Sequence, residues 1–444
     1  MEASGSWFSL LSRIAAQLVV ALAPTALCAQ PADSRAAERS EVPERHAVLL
    51  VRAALPVPEE TAVKSYVGGL PRMPSHFEWP IEAPFGEPRA LTFVAQVALS
   101  EIPEFPQRSL LPDAGTLYFF VSSDFDGVGD PASAVLYFED EAAALPIVAP
   151  PDNLMLLGGN LYYYSRFWLD EERDPRARVE FKYPLSFVVT ESYPENEPAR
   201  QIEAWQAALG APSNHDIRAL YDAISPEDDA WPFNWATLEH LARALAVTLE
   251  RDPWRFERLP AETVAETREI AAAARAWAAT ANRADAFAPL PAERAAEFRT
   301  WWRAQRDPVK KVAREVGAYA PNIDRAFVKA IRYAVRLTSA AGADARALIP
   351  SHYLQSVQAE TLWLPADSAR LSSVHMPMHQ MFGFGERVQS APIDHANDVL
   401  LLQITGDEGL AWHENIGCVL QLWVSSSALQ ALRLDEVQAT LECD

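Results

Sequence analysis

The chain is poor in cysteine, with three among 444 residues: Cys28, Cys418 and Cys443. No two of them have the C-x-x-C spacing of zinc sites and redox motifs, so neither chemistry is predicted. Cys418 and Cys443 would form one disulfide if the fold brought them together, although a buried free thiol is the commoner fate of such residues. Basic residues are scarce too: 38 Lys and Arg face 60 Asp and Glu, a formal net charge of −22. That excludes general nucleic-acid binding, which needs clustered cations against phosphate, and it disfavours anionic membrane surfaces. The short signatures of common enzymes are missing: no Walker loop, G-x-G-x-x-G turn, G-x-S-x-G elbow or H-E-x-x-H helix. No cofactor is implied, and no helical repeat of fixed period is evident.

What remains is a globular composition, 49% apolar and 22% charged, able to bury a full core. Ile14 to Ala29 (IAAQLVVALAPTALCA) is too short and interrupted to span a membrane. Pro24 and the small residues near its end suit a secretory signal cut near Ala29. Against that stand a single basic residue, Arg13, and a bulky Leu27 before the cut. Residues 1–29 therefore read as a signal peptide or leader, and 30–46 as a polar linker. Export is the favoured location and the cytoplasm the alternative, with no membrane span in the mature chain.

Residues 47–194 read as β-rich, with short apolar runs at Ala47–Ala54, Leu91–Leu99, Thr116–Ser122, Val135–Phe138, Leu161–Phe167 and Val179–Val189. Ser65–Pro80 is dominated by Gly and Pro and reads as an ordered loop. Residues 195–345 read as a helical insertion. Gly210 suits a helix end, Asn234 and Asn322 suit helix starts, Asp307-Pro308 suits another start, and residues 261–300 hold 16 Ala. After Pro350 the β character returns, so 346–444 reads as a second β-rich half, with strands at Val399–Ile404, Val419–Ser425 and Val437–Leu441. The predicted class is α+β: internally duplicated β-rich halves split by helices.

The duplication rests on one pattern. Phe93-Val94-Ala95-Gln96-Val97, then Gly115, then a strand ending Val121-Ser122-Ser123, has a counterpart in Leu400-Leu401-Leu402-Gln403-Ile404, Gly417, and a strand ending Val424-Ser425-Ser426. The spacing from Gly to Val differs by one residue, which a β-bulge or a slightly different turn would absorb. A Gln inside an apolar strand must satisfy its amide, so Gln96 and Gln403 are expected to pin a loop or neighbouring strand through backbone hydrogen bonds; a ligand contact is the alternative.

The segment SYVGGLPRMPSHFEWP, with Gly68, Gly69, Pro71, Pro74, Trp79 and Pro80, resembles the opening of YwqG-like proteins, a bacterial family of domains of unknown function. HQMFGFGERVQ, with His379, Gly383 and Gln389, is similar to that family's His-to-Gly-to-Gln segment, and the stretch from Gly417 to Trp423 is similar to its ending. Gly385 departs from the pattern, standing where Pro is expected. The resemblance covers about residues 47–444. It implies an α+β domain with internal duplication and supplies no mechanism.

Other candidate chemistry is thin. His375 and His379 are spaced to share a metal, but Pro377 between them disfavours a helix. Asp124, Asp126 and Asp130 resemble the start of a calcium loop, yet Val135 stands where its bidentate Glu belongs. Trp412-His413-Glu414 is a loop that caps the core or lines a pocket. The expected function is a non-enzymatic module binding a small molecule or protein in a cleft between the halves. Its rim would be the loops at 65–80 and 379–389. A metal-dependent hydrolase using His379 and nearby carboxylates is one alternative, and a structural envelope protein another.

Overall fold

The apolar runs become strands. These are β1 (Arg45–Arg52), β2 (Tyr66–Val67), β3 (Ile81–Glu82), β4 (Arg89–Ala90), β5 (Thr92–Ala98), β6 (Thr116–Val121), β7 (Ser133–Phe138), β8 (Tyr183–Ser192), β9 (Gln380–Phe382), β10 (Val399–Ile404), β11 (Val419–Val424) and β12 (Gln438–Glu442). The helices are α1 (Pro198–Leu209), α2 (Trp235–Glu250), α3 (Ala261–Ala281), α4 (Ala292–Val316), α5 (Ile323–Ala340), α6 (Ala343–Arg346), α7 (Ser351–Ala359), α8 (Ala391–Asp394) and α9 (Ser426–Gln430). The computed structural model describes residues 45–83, 86–122, 130–157, 168–169, 174–194, 196–210, 219–220, 222–250, 259–317, 322–361, 378–412 and 418–443. The leader, the run 161–167 and the predicted candidates Asp124, Asp126, His375, His413, Glu414 and Gly417 lie outside those residues.

Ten strands form one antiparallel sheet in the order β12-β11-β10-β9-β1-β8-β2-β5-β6-β7, and β3–β4 is a separate hairpin. The fold thus mixes α-helices with a large antiparallel sheet. From the central β1–β8 pair outward, each side has a very short strand followed by three hairpin-connected ones. The sheet curls enough that β7 lies beside the turn Leu434–Glu436, which leads into β12.

Side chains alternate across the sheet, so each strand serves two cores. One face, with Val48, Leu50, Ala95, Val97, Phe119, Leu402, Ile404 and Leu422, packs against the helices through Leu238, Leu241, Leu245, Phe298, Trp302, Phe327 and Ile331. On the other face, Tyr66, Phe93, Tyr118 and Phe120 are covered by Met73, Phe77 and Trp79 of the Gly/Pro-rich segment. Leu49, Val51 and Val188 of the central pair are covered by Ile202 and Trp205 of α1.

Local rules explain most helix ends. The Asn234 carboxamide oxygen accepts from the Thr237 amide at 2.9 Å, and its NH₂ donates to Thr338 Oγ1 at 2.9 Å, so it caps α2 and ties it to α5. Asn322 caps α5 in the same way. Gly210 closes α1 in a left-handed conformation at φ 59°.

Three expectations change. Pro308 does not start a helix but lies inside α4. The buried stripe Phe298, Trp302, Val309 and Val312 continues past it, and that packing offsets the hydrogen bond its ring removes. The chain after Pro350 is first another helix, α7, because proline is well tolerated just ahead of a first turn. Within the Ser65–Pro80 loop, Tyr66 and Val67 form a strand bridging β8 and β5.

Trp302 is fully buried among Trp231, Phe298 and Phe327. Trp302→Ala is expected to lower unfolding free energy by about 3–5 kcal/mol, read by urea titration. A loss below about 1 kcal/mol would place this helix core outside the cooperative unit.

Candidate functional site

Gln96 and Gln403 are each spent on a covering segment. The Gln96 carboxamide oxygen accepts from the Arg72 amide at 3.1 Å, and its NH₂ donates to the Lys64 carbonyl at 2.8 Å. The Gln403 oxygen accepts from the Glu386 amide at 2.7 Å, and its NH₂ donates to the Met378 carbonyl at 3.2 Å. The residue opposite each glutamine completes the clamp. Tyr118 donates its hydroxyl to the Arg72 carbonyl at 2.7 Å, and Gln421 donates to the Glu386 carbonyl at 2.8 Å. A register shift precedes each glutamine, between Phe93 and Ala95 and between Leu400 and Leu402.

The other family-like residues shape these two segments. Gly68 and Gly69 have φ of 69° and 68°, and a Cβ on Gly68 would lie 2.1 Å from the Phe181 carbonyl oxygen. Phe382 and Gly383 repeat that left-handed pair at 62° and 77°. Gly385, at φ 75°, cannot be replaced by proline, whose ring fixes φ near −65°. The Pro71 carbonyl accepts from the Val148 amide, Trp79 donates to the Leu91 carbonyl at 2.7 Å, and the Gln389 side chain donates to the Cys443 carbonyl at 2.9 Å.

His379 lies elsewhere. It shares the helix-facing parity of Met381, whereas Gln96 and Gln403 face the covering segments, so the three do not converge on one cavity. His379 joins a buried charge cluster where β1 ends and α5 and α7 meet the turn after β10. Arg52 grips Asp407 with two hydrogen bonds, Nε to Oδ2 at 2.5 Å and Nη2 to Oδ1 at 2.7 Å. Arg336 contacts both oxygens of Glu360 at 2.6 Å, and Arg332 donates to Glu408 at 2.7 Å. Tyr183 stacks under the Arg52 guanidinium at 4.6 Å and donates to the Gly409 carbonyl at 3.1 Å. A Cβ on Gly409 would lie 2.5 Å from Arg52 Nη2, so only glycine lets the guanidinium approach so closely.

The hydrogen bonds fix the His379 tautomer. Nδ1 accepts from the Thr405 amide at 3.3 Å, so the proton sits on Nε2 and points at Asp407, 3.0 Å away. Burial alone would raise the Asp407 carboxyl, but the Arg52 charge and the hydrogen bonds from His379 and Arg52 hold it well below the usual range. Burial lifts the Glu360 carboxyl to about 7, with Arg336 pulling against the lift and Glu408 adding to it.

The sequence pointed to His379 but not to its partners. The available signal was Arg332 and Arg336, four apart on α5 among buried Phe327, Ile331, Val335 and Thr338. Among the described residues, no three metal-ligating side chains cluster, and no helix is long and apolar enough to cross a membrane.

The family model of a domain of unknown function, DUF1963, matches residues 65–443, from the first glycine-rich segment to the last strand. The chain belongs to the DUF1963 family. YwqG-like proteins belong to the same family, as the segments around Gly68 and His379 implied. A search of curated proteins found no match. The DUF1963 match spans both covering segments and the charge cluster, apart from Arg52.

Two outcomes test the cluster and the clamps. A carboxyl raised in the fold binds its proton more tightly there, so Glu360 contributes its stability fully below its usual 4.5 and loses it as the pH rises through about 7. Asp407 has the opposite sign, contributing above the ordinary carboxylate range and losing that contribution in acid. The buried His240, held at about 3 by burial, works in the opposite sense up to its ordinary 6.5, so the test is the difference. Between about pH 5 and pH 8 the urea midpoint of the wild-type chain is expected to shift downward relative to that of Glu360→Gln, and equal slopes would remove Glu360 as a cause. Gln403→Leu should cost about 1–3 kcal/mol, because the Glu386 amide and Met378 carbonyl lose a buried partner. An unchanged unfolding midpoint would show that the carboxamide does not pin the segment.

Proposed function

We propose that this DUF1963 domain is a non-enzymatic binding module built from two copies of one β-framework, with its partner on the face formed by the covering segments. The observation that carries the reading is the repeated clamp. Lys64, Tyr66, Gly68, Gly69 and Arg72 correspond to Met378, Gln380, Phe382, Gly383 and Glu386 at identical spacing. Each set meets its glutamine through the same backbone groups. Ser65, next to Lys64, accepts from the Ala98 amide just as His379, next to Met378, accepts from Thr405. A relative twofold between β1 and β8 accounts for the matching strand order.

Segments pinned in this way lose little entropy when a partner docks, which favours recognition by preformed loops. An exposed large apolar side chain stands beside the first segment and another within the second: Ile81 in β3 at 58% and Ile393 in α8 at 56% exposure. Between the two covering segments α1 packs onto Leu49, Val51 and Val188 of the central strands, so in this reading the partner meets the segments themselves. What speaks against a hydrolase built on His379 is that both its ring nitrogens are engaged within the fold. Export is supported by the disulfide joining Cys418 and Cys443, since such bonds persist in oxidising compartments.

Immobilised full-length protein, screened against proteins and metabolites, is expected to retain a partner at micromolar affinity. That retention should fall at least about tenfold in the Ile81→Asp, Ile393→Asp double variant, as loss of a buried apolar anchor predicts. An empty screen, or a partner indifferent to both substitutions, would sink the reading.

A further inference from the structure

The last two strands carry a crosslink that their counterparts lack. Cys418 and Cys443 are disulfide-bonded across β11 and β12, one residue beyond the Val419–Glu442 pair. At the corresponding place in the β6–β7 hairpin stand Gly115 and Glu139. Beside Cys443, the buried Glu442 carboxylate accepts three consecutive backbone N–H groups of the second covering segment. These are Gln389 at 2.8 Å, Ser390 at 2.7 Å and Ala391 at 2.6 Å. Gln389 also returns a side-chain hydrogen bond to the Cys443 carbonyl. The end of β12 is thus tied covalently to β11 on one side and electrostatically to the covering segment on the other.

We propose that the Cys418–Cys443 disulfide is a redox latch on residues 386–398: it fixes the end of β12, and through Glu442 it fixes that segment. The latch follows from the geometry alone and does not depend on the binding role. Cys418 is 1% exposed whereas Cys443 is partly exposed, so a dithiol reductant reaches Cys443 first. Its thiolate attacks Cys443 Sγ, the S–S bond breaks, and Cys418 leaves as a thiolate and takes up a proton. The reductant's second thiol then displaces Cys443 from the mixed disulfide, leaving two protein thiols and one oxidised dithiol. Two electrons and two protons pass from the dithiol to the protein. Freed from β11, the β12 end frays as an edge strand, and Glu442 no longer holds a fixed position under the three amides.

The test is hydrogen exchange on the full chain, oxidised and after dithiothreitol, with thiols counted in each state. The oxidised chain should show no free Cys418 or Cys443 thiol. Reduction should speed exchange at residues 389–391 roughly tenfold or more, the factor a charge-assisted hydrogen bond is worth, while β1 and β8 keep their protection. Glu442→Ala should release the same amides with the disulfide intact. Two free thiols in the freshly isolated chain would overturn the proposal, as would unchanged exchange at 389–391 after reduction. Loss of protection throughout β1 and β8 would overturn it too, by making the bond a staple of the whole fold. A Glu442→Ala chain with wild-type exchange would show that the carboxylate is not the link.

Discussion

A carboxylate at 0% side-chain exposure must be compensated, and Asp407 obliges the end of β1, the residue ahead of β9 and the turn after β10 to assemble around it. Arg52 supplies two hydrogen bonds from the end of the central strand, His379 supplies one from the strand beside it, and the Gly409 amide supplies a fourth from the turn itself. Arg52 in turn lies 3.6 Å from Glu360, which Arg336 holds. Strand, turn and helices are therefore joined by charges that none of them carries alone. Removing a partner from such a network leaves the other charge buried, so the network specifies how helices and sheet meet more than it adds to net stability.

The glutamine clamps solve the same problem with neutral groups. A backbone segment rich in Gly and Pro has few ladder partners of its own, and its peptide groups still need them when covered. Gln96 with Tyr118, and Gln403 with Gln421, give the N–H and the C=O of one residue in each segment an acceptor and a donor. The two glutamine sites agree in this device and differ on the opposite side of the sheet. There Ser65 accepts from the Ala98 amide, whereas His379, which accepts from the Thr405 amide, also meets the buried carboxylate of Asp407.

Periodicity and punctuation exposed much of this architecture. The strands around Gln96 and Gln403, the Asn234 and Asn322 caps and the Gly210 stop follow from local chemistry that a sequence displays directly. Pro308 misled because a buried stripe outweighed a local breaker, and Pro350 because proline precedes a helix as readily as it ends one. Arg52, Glu360 and Asp407 were out of reach for another reason. Their meaning comes from contacts 355 residues apart in the chain for Arg52 and Asp407, and no spacing rule spans such a distance. The disulfide had the same character: two cysteines 25 residues apart were visible, but their cross-strand register was not.

The curl of the sheet has one more effect. A long open sheet ends in two strands whose outer backbone groups invite a foreign strand, the first step toward aggregation. Here β7 at one end lies beside the Leu434–Glu436 turn that leads into β12 at the other. An incoming chain would meet polypeptide already in place where the two ends approach. The curvature that wraps this sheet around its core thus also guards it against polymerising with its own kind.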